Sequence, residues 1–109
     1  MEVRFATSQL QKTMSGSSAL SRRYGDIGAR RIRTRLSQLE AADSLADLRS
    51  LPGCWHELTG DRAGHLTADL HQPFRMILRP AEPAPHTDDG GLDWSRVTTV
   101  IITEIVDYH

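Results

Sequence analysis

The sequence has little of what a small secreted or metal-bound domain relies on. Cys54 is its single cysteine, which excludes an internal disulfide and a zinc site built on several cysteines. No apolar run approaches the roughly 18 residues that a membrane span requires. The opening Met1-Glu2-Val3-Arg4-Phe5 lacks the long apolar stretch of a signal peptide. The expectation is therefore a cytoplasmic protein with no membrane partner. Also missing are a Gly-x-Ser-x-Gly elbow, a phosphate-binding glycine-rich loop and a His-x-x-x-His helical pair. Five histidines are present, but His65 and His71 fall on one expected strand roughly 20 Å apart. They cannot share an ion within that strand, and His56 and His109 could meet only through tertiary pairing. Neither a metal nor a cofactor is expected.

What is present is the composition of one globular domain spanning residues 1–109, with 39% hydrophobic and 25% charged residues. A chain this short buries a single modest core. The net charge of −1 is unevenly spread. Residues 1–49 hold nine Lys/Arg against five Asp/Glu, a net of +4, and residues 50–109 hold four against nine, a net of −5. Six arginines fall between Arg22 and Arg35. Such a cluster either steers a polyanion onto one element or forms a solvated helix face. Charge alone leaves both open.

Residues 2–6 alternate and form a first strand. Ser8 caps a brief helix to about Met14, and residues 15–18, rich in serine and glycine, make a flexible break. From Asp26 a longer helix runs to about Ala41. It places Ile32, Leu36 and Leu39 on one face, with Arg30, Arg31, Arg33 and Arg35 over the remainder. Gly28 weakens its first turn by about 1 kcal/mol relative to alanine. A short helical turn bearing Leu45 and Leu48 ends at Pro52-Gly53. Beyond Gly53 the period changes to two. Residues 54–58 form a strand, 60–64 a hairpin loop and 65–71 a second strand with Leu66, Ala68 and Leu70 on one side. Residues 74–79 form a third strand. Residues 80–93 make a long polar loop, expected at the periphery and mobile. Residues 97–106 are β-branched and apolar on both faces, as in a central strand. The fold class is α+β: an N-terminal strand, two helices, then a mostly antiparallel four-strand meander with the helices on one face.

His56, Arg75, Asp107, Tyr108 and His109 each sit on an expected strand or at its end. Metal-free RNA cleavage needs a base for the 2′-OH, an acid for the departing 5′-oxygen and a cation for the phosphorane. Histidine suits the proton transfers because its ordinary pKa lies near neutrality. Arginine suits the cation role because its fork matches phosphate oxygens. Tyrosine can donate a hydrogen bond or stack on a base. Each residue also has a plain alternative: a frayed terminal Tyr-His, a satisfied sheet histidine, an arginine paired with a carboxylate.

Three segments carry a family likeness. Trp55-His56-Glu57-Leu58-Thr59-Gly60-Asp61-Arg62-Ala63-Gly64 is similar to the strand-turn segment of HigB-type toxins, where a histidine precedes a Leu-Lys-Gly-Asp turn. Phe74-Arg75-Met76-Ile77 resembles that family's Trp-Arg-Ile-Thr strand, and the chain ends in Asp107-Tyr108-His109 where those toxins end in Asp-Tyr-His. The order of elements agrees over nearly the whole chain, which thus resembles the HigB-like toxins of the RelE/ParE superfamily. The resemblance implies the RelE/ParE-like toxin fold and cleavage of mRNA on the ribosome. It implies catalytic roles for His56, Asp107, Tyr108 and His109, with Arg75 and Arg62 binding the substrate. His109 or Asp107 would be the base, His56 the acid or a phosphate contact, and Tyr108 a stacking or hydrogen-bonding group. It further implies a helix-turn-helix antitoxin of the HigA kind, through which alone the toxin would meet operator DNA. Departures from the family pattern are Thr59 in place of a basic residue, His65-Leu66 in place of an aromatic pair, Pro73-Phe74 in place of Asn-Trp, the longer loop over residues 80–95, and a pI of about 6.5, low for a protein that docks on rRNA. Two other functions fit the same likeness: a ParE-like toxin that inhibits DNA gyrase, and an attenuated toxin acting as its antitoxin's corepressor.

Overall fold

The computed structural model describes residues 1–107; Tyr108 and His109 lie outside them. Strand β1 (Glu2–Phe5) is too short to persist alone. It pairs parallel to β5 (Thr99–Asp107), with Val3 opposite Val100. Thr7 then takes an extended conformation and its side chain accepts from the Leu10 amide at 3.0 Å, starting α1 (Ser8–Ser15) one residue before the expected cap. Gly16 alone breaks the helix, and α2 (Ser17–Ala41) follows at once. The expected flexible break over residues 15–18 is therefore a single residue. Helix α2 begins well before Asp26 because Leu20 and Tyr24 supply a buried face for an extra segment. That segment meets the later one at a bend where Gly25 adopts φ 75° and ψ 169°, a region that favours glycine. Gly28 also has a positive role: a Cβ there would meet the Tyr24 Cβ at 3.0 Å.

After α2, a 3₁₀ turn over Leu45–Ser50 buries Leu45 and Leu48. The remaining strands are β2 (His56–Glu57), β3 (Leu66–Asp69) and β4 (Phe74–Pro80), with a 3₁₀ turn at Gly60–Arg62 between β2 and β3. The architecture is α+β. The sheet has five strands in the order β1-β5-β4-β3-β2 and is mixed, rather than the four-strand meander expected. The difference lies in β1, which joins the sheet beside the last strand and parallel to it, a pairing that local pattern cannot reveal.

Leu20, Ile32 and Leu39 of α2 form one core with Leu66, Met76, Leu78, Val100 and Ile102 of the sheet. By alternation Thr67, Asp69, Arg75, Ile77 and Arg79 occupy the far side, away from the helices. Arg35 does not belong to an exposed arginine strip. It is buried, its Nε donates to the Asp69 carbonyl at 2.7 Å, and an Nη donates to Gln38 Oε1 at 3.2 Å. Gly53, at φ 128°, packs on it: a Cβ there would fall 2.9 Å from Arg35 Nε and 2.6 Å from Trp55 Nε1.

The long loop after β4 is tied down at its end. Trp94 is buried, its Nε1 donates to Glu57 Oε2 at 3.0 Å, and the Arg49 guanidinium lies 4.2 Å from its ring centroid. The loop is thus not merely peripheral: its anchor reaches the strand that carries His56. Among the described residues, no helix is long and apolar enough to cross a membrane.

Candidate active site

Cross-strand pairing sets the far side of the sheet in rows. His56 on β2 is opposite Thr67, Thr67 is opposite Ile77, and Ile77 is opposite Glu104. The next row holds Asp69, Arg75 and Val106. His56 is exposed on the edge strand, and its Nδ1 lies 2.8 Å from the Cys54 carbonyl oxygen. A carbonyl only accepts, so Nδ1 carries the hydrogen and the neutral ring keeps its Nε2 lone pair for a proton from elsewhere. Arg75 Nε stands 3.7 Å from Asp69 Oδ1, an ion pair between half-exposed groups. Arg62, from the turn that follows β2, reaches across to pair with Glu104 on β5. Strand spacing puts the Cα atoms of His56 and Arg75 roughly 12 Å apart, a gap that an arginine side chain and a bound phosphodiester can bridge.

A bulge decides where Asp107 goes. Ile77 is paired with Glu104 but Leu78 with Ile102, so Thr103 is the extra residue on β5. One extra residue reverses the alternation of everything after it. Glu104 and Val106 therefore share the far side with Ile77 and Arg75, while Ile105 packs against the core beside Met76. Asp107 is paired with Phe74, whose ring meets Tyr24 of α2 edge-on at 5.0 Å. Register thus assigns Asp107 to the helix side, opposite to Arg75.

At the turn between β3 and β4 lies a cleft of about 280 Å³ lined by Arg31, Asp69, Gln72, Pro73 and Arg75, among others. Arg31 brings a second guanidinium from α2 to the Arg75 end of the sheet. Beneath it, burial pulls the Arg35 guanidinium below its ordinary pKa; the Arg31 charge adds to this and Asp69 opposes it. A larger cleft, about 770 Å³, lies elsewhere, between α2 and the Leu45–Ser50 turn. It holds Arg30, Arg33 and Asp47 but no histidine, so it has no group suited to proton transfer near neutral pH. Among the described residues, no group of three or more His, Cys, Asp or Glu side chains could hold a metal ion.

Of the residues that sequence nominated, His56, Arg62 and Arg75 share the far side of the sheet. Asp107 is at the same end of the sheet as Arg75 but on the other side, and Tyr108 and His109 lie outside the described residues. Three residues were not nominated: Arg31, which sequence reads as one of many helix arginines, Glu104 and Thr67. Only the isolated charge of Glu104 within an apolar strand could have signalled one of them. No protein-family model and no curated protein matches the chain. The cleft lined by Arg31 and Arg75 can receive a phosphate between two guanidinium groups, and His56, on the same sheet side as Arg75, can pass a proton.

Proposed function

We propose that this protein is a metal-independent endoribonuclease of the type II toxin kind, cutting mRNA on the ribosome, with the RelE/ParE-like toxin fold. The observation that carries this reading is the sharing of one sheet side by His56, Arg62 and Arg75. In this mechanism the guanidinium groups take the charge that develops on the scissile phosphate. His56 Nε2 exchanges a proton with the 2′-oxygen or the departing 5′-oxygen, and Cys54 fixes its tautomer. The 2′-oxygen attacks the adjacent phosphorus as its proton leaves, and the P–O5′ bond breaks as that oxygen takes one up. Roles for Asp107, Tyr108 and His109 rest on the resemblance of the terminal triplet. A helix-turn-helix antitoxin of the HigA kind and a cytoplasmic location belong to the same proposal.

The direct test is primer extension on mRNA from translating ribosomes incubated with the purified protein and with His56→Ala. Cuts by the wild type that the variant does not make support the proposal. A second reading is favoured by one observation, the placement of Asp107 opposite to Arg75. It is a non-nuclease of the same fold, either a gyrase inhibitor or an attenuated toxin that serves as its antitoxin's corepressor. Gyrase-dependent DNA breaks without mRNA cuts would select the first of these, and neither effect would select the second.

A further inference from the structure

Ile77 is fully buried, yet it belongs to the far side of the sheet and stands outside the core that the helices cover. The Arg62–Glu104 pair crosses that side. Arg62 closes the turn before β3, its carbonyl accepting from the His65 amide at 3.0 Å, whereas Glu104 is two strands away on β5. A side chain joining these points passes over β4 near Ile77 and its cross-strand neighbour Thr67. Thr67 is fully buried too, and its hydroxyl has no hydrogen-bond partner among the described residues. The same holds for His65 Nδ1, just before β3, whereas Asp69 Oδ1 at the other end of the strand faces the Arg75 guanidinium at 3.7 Å. Buried polar atoms are nearly always satisfied in folded proteins. Two such atoms two residues apart, Thr67 Oγ1 and His65 Nδ1, mark a surface that a hydrogen-bonding ligand can satisfy.

The charges around these atoms point to the same ligand. Each of the two arginines faces a carboxylate, Glu104 for Arg62 and Asp69 for Arg75. The fork that receives a carboxylate also receives a phosphate. The Arg62–Glu104 pair leaves 39% and 46% of its side chains exposed, and ion pairs so open to water hold weakly.

We propose that the Arg62–Glu104 ion pair is a latch over a polar ligand site on β3. A phosphate of an RNA strand displaces Glu104 from Arg62, and the opened face offers the Thr67 hydroxyl and the His65 imidazole to the adjoining nucleotide. Thr67 then touches substrate, and Glu104 restrains binding until a phosphate competes for its arginine. This rests on the RNA-cutting function proposed above.

The test follows backbone amide signals during titration of the whole protein with a short single-stranded oligonucleotide, 2′-O-methylated throughout so that it cannot be cut. Glu104→Gln, and separately Glu104→Ala, is expected to bind roughly fivefold tighter than the wild type, with signals moving at Thr67 and Ile77. Arg62→Gln is expected to bind more weakly than the wild type. Thr67→Val in the Glu104→Gln background should lose roughly threefold of the gain. Inorganic pyrophosphate, which has no base or sugar, should prefer Glu104→Gln over the wild type and ignore Thr67→Val. Equal affinity of wild type and both Glu104 variants, or signals moving only elsewhere, overturns the latch. An unchanged oligonucleotide affinity on adding Thr67→Val overturns the site beneath it. Because the probe is uncuttable, binding as expected without mRNA cleavage keeps the latch and sinks the nuclease; cleavage with unchanged Glu104 variants does the reverse.

Discussion

The hydroxyl of Thr103 donates to the carbonyl oxygen of Ile77 at 3.1 Å, at the bulge where β5 carries one residue more than β4. This contact sits at the point where the alternation of β5 reverses, and so where Glu104 joins the arginine side and Asp107 leaves it. Thr103→Val keeps the volume and removes the donor. It is expected to lower the unfolding free energy by about 1 kcal/mol, read from urea denaturation. An unchanged midpoint and slope would show that the hydroxyl has no part in fixing the bulge.

Gly53 and Arg35 form a packed joint between α2 and β3. Gly53→Ala adds a Cβ within 2.6 Å of Trp55 Nε1 at a backbone φ of 128°. Overpacking and backbone strain together are expected to destabilise by about 3 kcal/mol. Arg35→Met strands the Asp69 carbonyl that Arg35 Nε now satisfies and should destabilise by about 2 kcal/mol. Thermal unfolding of both variants checks this, and a wild-type melting temperature in either contradicts it.

Trp94 anchors the long loop to β2. Trp94→Phe keeps an aromatic ring under Arg49 but loses the donor to Glu57, and should lower stability by about 1 kcal/mol. If the anchor also positions β2, the His56 amide signal moves in this variant. A stationary His56 signal would detach the loop from the candidate site.

The loop itself should loosen in acid. Asp89 is held below the usual carboxylate range first by the Thr87 hydroxyl and then by the Gly91 amide. Asp93 is held down first by the Ser95 hydroxyl and then by Arg96. A carboxylate with a depressed folded-state pKa contributes stability that is complete above its unfolded value. That contribution is lost as pH falls through the folded value. Exchange protection of the Gly91 and Ser95 amides, which donate to Asp89 and Asp93, should therefore be level above the ordinary aspartate pKa of about 3.9. It should decline below that, ahead of core amides. Asp93→Asn should remove the decline at Ser95, and protection that holds to strong acid contradicts the assignment.

How far sequence could reach differs along the chain. Strands β3 and β4 were legible because Leu66, Ala68, Met76 and Leu78 recur at every second position and bury on one side. Helix α2 was legible only beyond its bend. Its first segment opens with serines, poor helix formers, and its buried Leu20 and Tyr24 are too few for a clear period. The pairing of β1 with β5 joins opposite ends of the chain, where no local pattern can indicate a partner. In the site, His56 and Arg75 were legible from chemistry and spacing. The side on which Asp107 falls was not, because a single unpaired Thr103 sets it and bulges leave no mark in an apolar run. Arg35 was misplaced for a related reason: nothing in a row of helix arginines shows which one a glycine turn will cover.

The activity proposed for the arginine and histidine side of the sheet is RNA cutting. Its most direct measurement is primer extension on ribosome-engaged mRNA with wild type, His56→Ala and Arg75→Gln, each first shown to be folded by its amide spectrum. Discrete cuts by the wild type are expected, and at least a hundredfold fewer with either variant, on the order of the loss that follows removal of a general acid–base group or charge stabiliser. Equal cutting by all three folded proteins, or none by the wild type, would contradict it.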